Sequence, residues 1–175
     1  AFNNITINGG NVTAISTASA TFDGTSQAIK AGSSTYPNGK VTIASDLKVL
    51  ASTEPNGIFG EYAEANLKTY DHIMVVPADI YVGGVGMIDG DYLQTGATET
   101  TRTQPTGDGG YAYYSGGVLT LNGYAFEGEG CVYDTDAMYT AGIYSESALK
   151  IVLTDKNFIT DTGVASTVIY VGDTL

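Results

Sequence analysis

Val118-Leu-Thr-Leu-Asn-Gly-Tyr-Ala-Phe126 and, further on, Leu149-Lys-Ile-Val-Leu-Thr-Asp-Lys-Asn-Phe158 read alike. Each holds two short extended pieces in which apolar and polar residues alternate, joined by a small turn built on Gly, Asn or Asp. Two N-terminal segments repeat the pattern: Ile5-Thr-Ile-Asn-Gly-Gly-Asn-Val-Thr-Ala14 and Lys40-Val-Thr-Ile-Ala-Ser-Asp-Leu-Lys-Val49. A unit this short cannot bury its own apolar face. Stacked on copies of itself it can, because each coil lends its inward Ile, Val and Leu to a continuous core. The pattern therefore predicts an all-β fold, a right-handed parallel β-helix (a β-solenoid). It also moves the search for function from a pocket to a long lateral surface.

Working outward, Ile5 and Ile7 face one way with Thr6 opposed, and Val12, Ala14, Ala28, Ile29, Val41, Ile43, Leu47 and Val49 continue the inward set. Asn8-Gly-Gly10 and Pro37-Asn-Gly39 supply turns. The step from Ile5 to Val41 suggests a coil of roughly 30 residues, so about five to six coils would fill the chain. Residues 60–68, Gly-Glu-Tyr-Ala-Glu-Ala-Asn-Leu-Lys, have the best helix-forming composition and are expected to form one short helix over the end of a stack. His72–Val76 reads as a strand followed by Pro77. The whole of 1–175 is expected to be a single β-helix module, with an internal junction near 70–80 where two tandem units would meet.

Composition narrows the class. The 175 residues include 23 Gly and 13 Tyr but no Trp, and charged residues make up only 15%. That describes an extracellular all-β protein better than a helical cytosolic one. Seven Lys and Arg against a net charge of −12 argue against a nucleic-acid partner, since a phosphate backbone needs clustered cations. Cys131 is alone, so no intrachain disulfide is expected. No apolar run nears the roughly 20 residues of a transmembrane helix, and the stretch that opens at Ala1 is not expected to be a signal peptide. The expectation is a mature or excised piece of a larger bacterial protein, secreted or at the cell surface and without membrane insertion.

The stretches GGVLTLNGYAFEG, AGIYSESALKIVLTDKNFIT, VIYVGDTL, ITINGGNVTA and GKVTIASDLKVLAS together resemble the parallel β-helix carbohydrate-binding modules of large proteins secreted by gut Firmicutes, including those attached to xylanases. The resemblance covers most of the chain and is strongest in 1–68 and 116–175. Its motifs are structural, and the block ending near EPNGIFGEYAEANL comes first here where such proteins would place it last. The resemblance implies non-catalytic binding of plant cell-wall polysaccharide, xylan foremost. It also implies an appended glycoside hydrolase or tandem β-helix modules as neighbours.

The residues themselves offer three kinds of chemistry. A pyranose presents a C–H face to an aromatic ring while its hydroxyls seek polar partners around the rim. Tyr92, Tyr111, Tyr113, Tyr114, Tyr133 and Tyr139, with Asp134 and Asp136, are the candidate carbohydrate-binding residues, in loops spanning 89–114 and 131–144. If the stretch at 111–114 is extended, Tyr111 and Tyr113 share a face. Two roles stay open for every ring: stacking on sugar, or covering apolar surface on the solenoid flank. Asp89 and Asp91 alternate as calcium ligands would, but the later Glu of a calcium loop is missing and solvated turn acids are the alternative. No cofactor is otherwise expected.

Catalysis is the third kind. A β-helical hydrolase or lyase needs clustered carboxylates beside His, Arg or Lys, and here His72 and the scattered cations select no such group. A structural spacer or adhesin repeat is the remaining alternative to binding, and the open ends of a solenoid favour head-to-tail self-association.

Overall fold

The computed structural model describes residues 4–17, 27–31, 39–44 and 46–172. The chain is all-β, 49% strand and 3% helical, and forms a β-solenoid of about 4 turns. It divides into two compact units, Ala1–Pro77 and Ala78–Leu175.

In the first unit the strands are β1 (Ile5–Ile7), β2 (Val12–Ile15), β3 (Val41–Ile43), β4 (Leu47–Ser52), β5 (Gly60–Glu61) and β6 (His72–Pro77). β1 lies parallel to β3 with Ile5 opposite Val41 and Ile7 opposite Ile43, the coil step read from the sequence. Asn4 Oδ1 fixes that register at its start by accepting from the Lys40 amide at 3.0 Å. The other four strands form one antiparallel sheet in the order β2-β6-β4-β5. Its inward residues Ile73 and Val75 are fully buried and join Ile7, Ile29, Leu47, Ala51 and Tyr70 in this unit's core. His72 stands in β6 with its ring against Phe59, centroids 4.4 Å apart. The turn expected at Pro37 and Asn38 lies outside the described residues.

The short helix expected near 60–68 is present as a 3₁₀ helix, Glu64–Thr69, preceded by the strand piece β5. No side chain caps its start at Ala63, and six residues are too few to repay α-helix nucleation. Leu67 still packs against the core of this unit.

The second unit holds β7 (Ile80–Val82), β8 (Val85–Met87), β9 (Asp91–Gln94), β10 (Tyr111–Ser115), β11 (Val118–Asn122), β12 (Ala125–Gly128), β13 (Cys131–Asp134), β14 (Tyr139–Ser145), β15 (Lys150–Thr154), β16 (Phe158–Asp161) and β17 (Thr167–Val171). Three parallel ladders join one coil to the next: β11 on β15, β12 on β16 and β14 on β17. The buried Leu119, Leu121 and Ile143 of the first coil stand opposite Ile151, Leu153 and Ile169 of the second. Ile80, Val82, Met87, Leu93 and Ala112 complete this core.

Residues 78–117 interrupt the parallel ladders, and the solenoid has about 4 turns against the five or six expected. They form antiparallel hairpins. Val82 pairs with Val85 across Gly83-Gly84, whose φ angles are 57° and 77°, and Ser115 pairs with Val118 across Gly116-Gly117, at 57° and 76°. Two central residues with positive φ turn the chain in the sense that matches strand twist, and glycine adopts that conformation without steric cost. The chain therefore doubles back at each Gly-Gly pair instead of continuing into the next coil.

A tyrosine face on a four-stranded sheet

The candidate site is built on the sheet β15-β11-β10-β9. Its register sorts side chains into alternating rows. Leu93, Ala112, Leu121 and Leu153 form one inward row, and Asp91, Tyr114, Leu119 and Ile151 another. The outward rows are Tyr92-Tyr113-Thr120-Val152, Gln94-Tyr111-Asn122-Thr154 and, at the hairpin end, Ser115-Val118-Lys150. The first two rows, which carry the tyrosines, contain no carboxylate, amine or guanidinium, and Lys150 stands on the third.

Tyr92 and Tyr113 are direct cross-strand partners and stack with centroids 4.3 Å apart and planes 25° from parallel. Tyr111 tilts against Tyr92 at 5.7 Å and 60°. Its hydroxyl accepts from Gln104 Nε2 and from Asn122 Nδ2, each at 3.2 Å. The result is a ring cluster edged by neutral amides and hydroxyls. Loss of water around the rings, and then the neighbouring phenols, raise the Tyr92 pKa.

Sequence reasoning placed these tyrosines on loops; they stand on strands. Tyr packs well on a pleated, half-buried surface, and the flanking Gly residues end the strand rather than dissolve it. Tyr111 and Tyr113 do share a face. Tyr114 does not join them: it lies on an inward row and packs against the core. Burial, then Asp79 and Asp89, raise its pKa.

The acids near this face have structural duties. Asp91 is 1% exposed, and its Oδ1 accepts from Arg102 Nη1 at 2.8 Å. Its Oδ2 accepts from Thr100 Oγ1 at 3.0 Å and from the Ile88 amide at 3.1 Å. Asp89 Oδ1 accepts from Ser115 Oγ and from the Gly116 amide at 3.1 and 2.7 Å, clasping the β10–β11 hairpin. The carboxylates of the pair considered for calcium are thus committed to different partners. Among the described residues no three His, Cys, Asp or Glu side chains gather as a metal site would require.

Tyr133 and Tyr139 belong to the other large sheet of this unit, on β13 and β14. Their rings lie 6.1 Å apart. Between them Asp134 Oδ1 accepts from the Asp136 and Ala137 amides, both at 3.0 Å, which makes it a turn-forming side chain. Asp136 is exposed. Sequence reasoning missed Tyr81, Tyr144 and Tyr170, which complete this second cluster, and Gln104 and Asn122, which edge the first. The signal was present: in Ile80-Tyr-Val82 and Ile143-Tyr-Ser145, buried residues flank a residue that must point outward. Cys131 is half-buried in β13, and burial pushes its thiol up to about 11, so it stays a protonated, unreactive thiol at neutral pH.

The chain matches no family model, no curated protein and no solved structure.

Proposed function

We propose that this chain is a non-catalytic carbohydrate-binding module. Its surface holds an extended neutral polysaccharide of the plant cell wall, xylan first, and so anchors an enzyme or surface protein joined to it. The observation that supports this reading is the outward face of β9 and β10. Three tyrosines there are bordered by Gln94, Gln104, Asn122, Thr120 and Thr154, with no ionised group in the two rows. Rings take sugar C–H groups, while amides and phenols exchange hydrogen bonds with hydroxyls. The absence of charge in the rows suits a neutral glycan over a uronate polymer. Because an open sheet leaves much of a ligand hydrated, affinity is expected to be modest. Xylan is preferred on the family resemblance. Export from a bacterial cell goes with the same reading.

One observation favours a different role, that of a structural spacer or adhesin repeat. The Tyr92 and Tyr113 rings already cover one another at 4.3 Å, which satisfies part of their apolar surface without a ligand. Affinity electrophoresis through xylan, mixed-linkage glucan, mannan and pectin separates the two, run with calcium and with chelator. Retardation on a neutral polysaccharide that Tyr113→Ala reduces at least about ten-fold is expected, one lost stacking contact with its hydrogen bonds being worth about 1–2 kcal/mol. Unchanged mobility on all four would leave the spacer role.

A further inference from the structure

The second tyrosine cluster differs from the first in its electrostatics. Tyr144 of β14 is the direct cross-strand partner of Tyr81 on one side and of Tyr170 on the other. The rings of Tyr133 and Tyr170 stack at 4.2 Å and 15°. Tyr144 lies 5.7 Å from Tyr133 at 11° and 5.8 Å from Tyr170 at 20°, so three rings are nearly parallel. Tyr139 and Tyr170 are 41% and 37% exposed. Glu146 edges the group, accepting from the Tyr144 hydroxyl at 2.9 Å, while Asp134 ends β13 and Asp136 sits in the turn that leads to β14. No Lys or Arg occurs in 79–88, 129–147 or 164–172, the stretches that build this face.

Near-parallel electron-rich rings with carboxylates beside them and no cation among them match the needs of a guanidinium. Its plane lies on an aromatic face, its charge meets the ring quadrupole, and its N–H groups reach carboxylates in the same plane. A compact, strongly hydrated ammonium gains less from a flat ring surface. The occupant is not a second copy of this chain: its single arginine, Arg102, is engaged by Asp91. We propose that this face docks an arginine side chain presented by a basic partner protein. This site is separate from the sheet carrying Tyr113 and stands whether or not that sheet binds glycan.

The test uses three Gly/Ser peptides alike except at two positions, which carry arginine, lysine or citrulline, titrated against the full chain by calorimetry. Citrulline keeps the planar group and removes the charge; lysine keeps the charge and removes the plane. Binding of the arginine peptide at least about five-fold tighter than the lysine peptide is expected, with none for citrulline. Tyr170→Ala and Glu146→Gln should each weaken it, and Tyr113→Ala should leave it unchanged. Glu146→Gln preserves shape, so it reads the charge even if the loss of Tyr170 perturbs folding. Equal binding of arginine and lysine would reduce the effect to general attraction by an acidic chain and overturn the proposal. So would equal binding of citrulline, no binding at all, or displacement of the peptide by a neutral xylo-oligosaccharide.

Discussion

Tyr124 and Tyr144 both hold their phenolic protons to about 12, against the usual 10.0. Burial of the ring is the cause at Tyr124. At Tyr144 burial leads, and the hydrogen bond and charge of Glu146 add to it. A pKa raised in the folded state means that folding favours the protonated phenol. The associated stability is therefore complete below pH 10 and is lost as pH climbs through about 12. The urea midpoint is expected to hold steady up to pH 10 and to fall between there and about 12, with tyrosinate absorbance rising in the same window. Glu146→Gln should move the Tyr144 component to lower pH. At this scale much was legible, since period-two alternation alone puts Tyr111 and Tyr113 together. The same alternation also turns Tyr114 inward, away from the two rings beside it in sequence. The pairing of Asp91 with Arg102 was not legible, because the two belong to a strand and to an irregular connection.

That pairing acts on a whole element. The connection from Gln94 to Tyr111 has no regular structure, yet it folds back on β9: Tyr92 and Thr101 exchange backbone hydrogen bonds at 2.8 Å each. Arg102 then reaches the Asp89 carbonyl and the Asp91 carboxylate. This covers the free edge of β9, which would otherwise offer unpaired donors and acceptors to another chain. Arg102→Ala strips a buried carboxylate of its partner. Because Arg102 is itself partly reached by water, the expected loss is about 2–3 kcal/mol, short of that for a fully buried pair. Urea unfolding would measure it, and faster amide exchange at Tyr92 and Thr101 would show the connection lifting away. Hairpins were the element-level feature hidden by the repeat pattern. Val82-Gly-Gly-Val85 and Ser115-Gly-Gly-Val118 are two-residue turn signals between alternating segments, but the same alternation also fits successive faces of a coil.

Across the whole molecule, stacking of like coils was the legible part, because it depends only on which residues face inward. How fully one coil covers the next was not, since a coil's outer face looks the same in sequence whether or not another covers it. Within the second unit the ladders β11-to-β15, β12-to-β16 and β14-to-β17 leave Leu153, Phe158, Ile169 and Val171 at 65%, 52%, 46% and 42% exposed. Yet Leu153 and Ile169 stand in register with Leu121 and Ile143, which are 2% and 0% exposed. β15 and β17 also end their sheets, so their outer backbone groups can accept a further strand. An apolar row with an open backbone edge is a template for another chain, opposed here by repulsion between chains of net charge −12. The balance predicts association that grows with protein concentration and with salt, because salt screens the repulsion and leaves apolar contact intact. Light scattering across a concentration series should show the mass rising, and Leu153→Lys with Ile169→Lys should hold it at the monomer value. A mass fixed at 18.2 kDa in high salt at every concentration would mean that the β15 and β17 edges do not pair with a second copy.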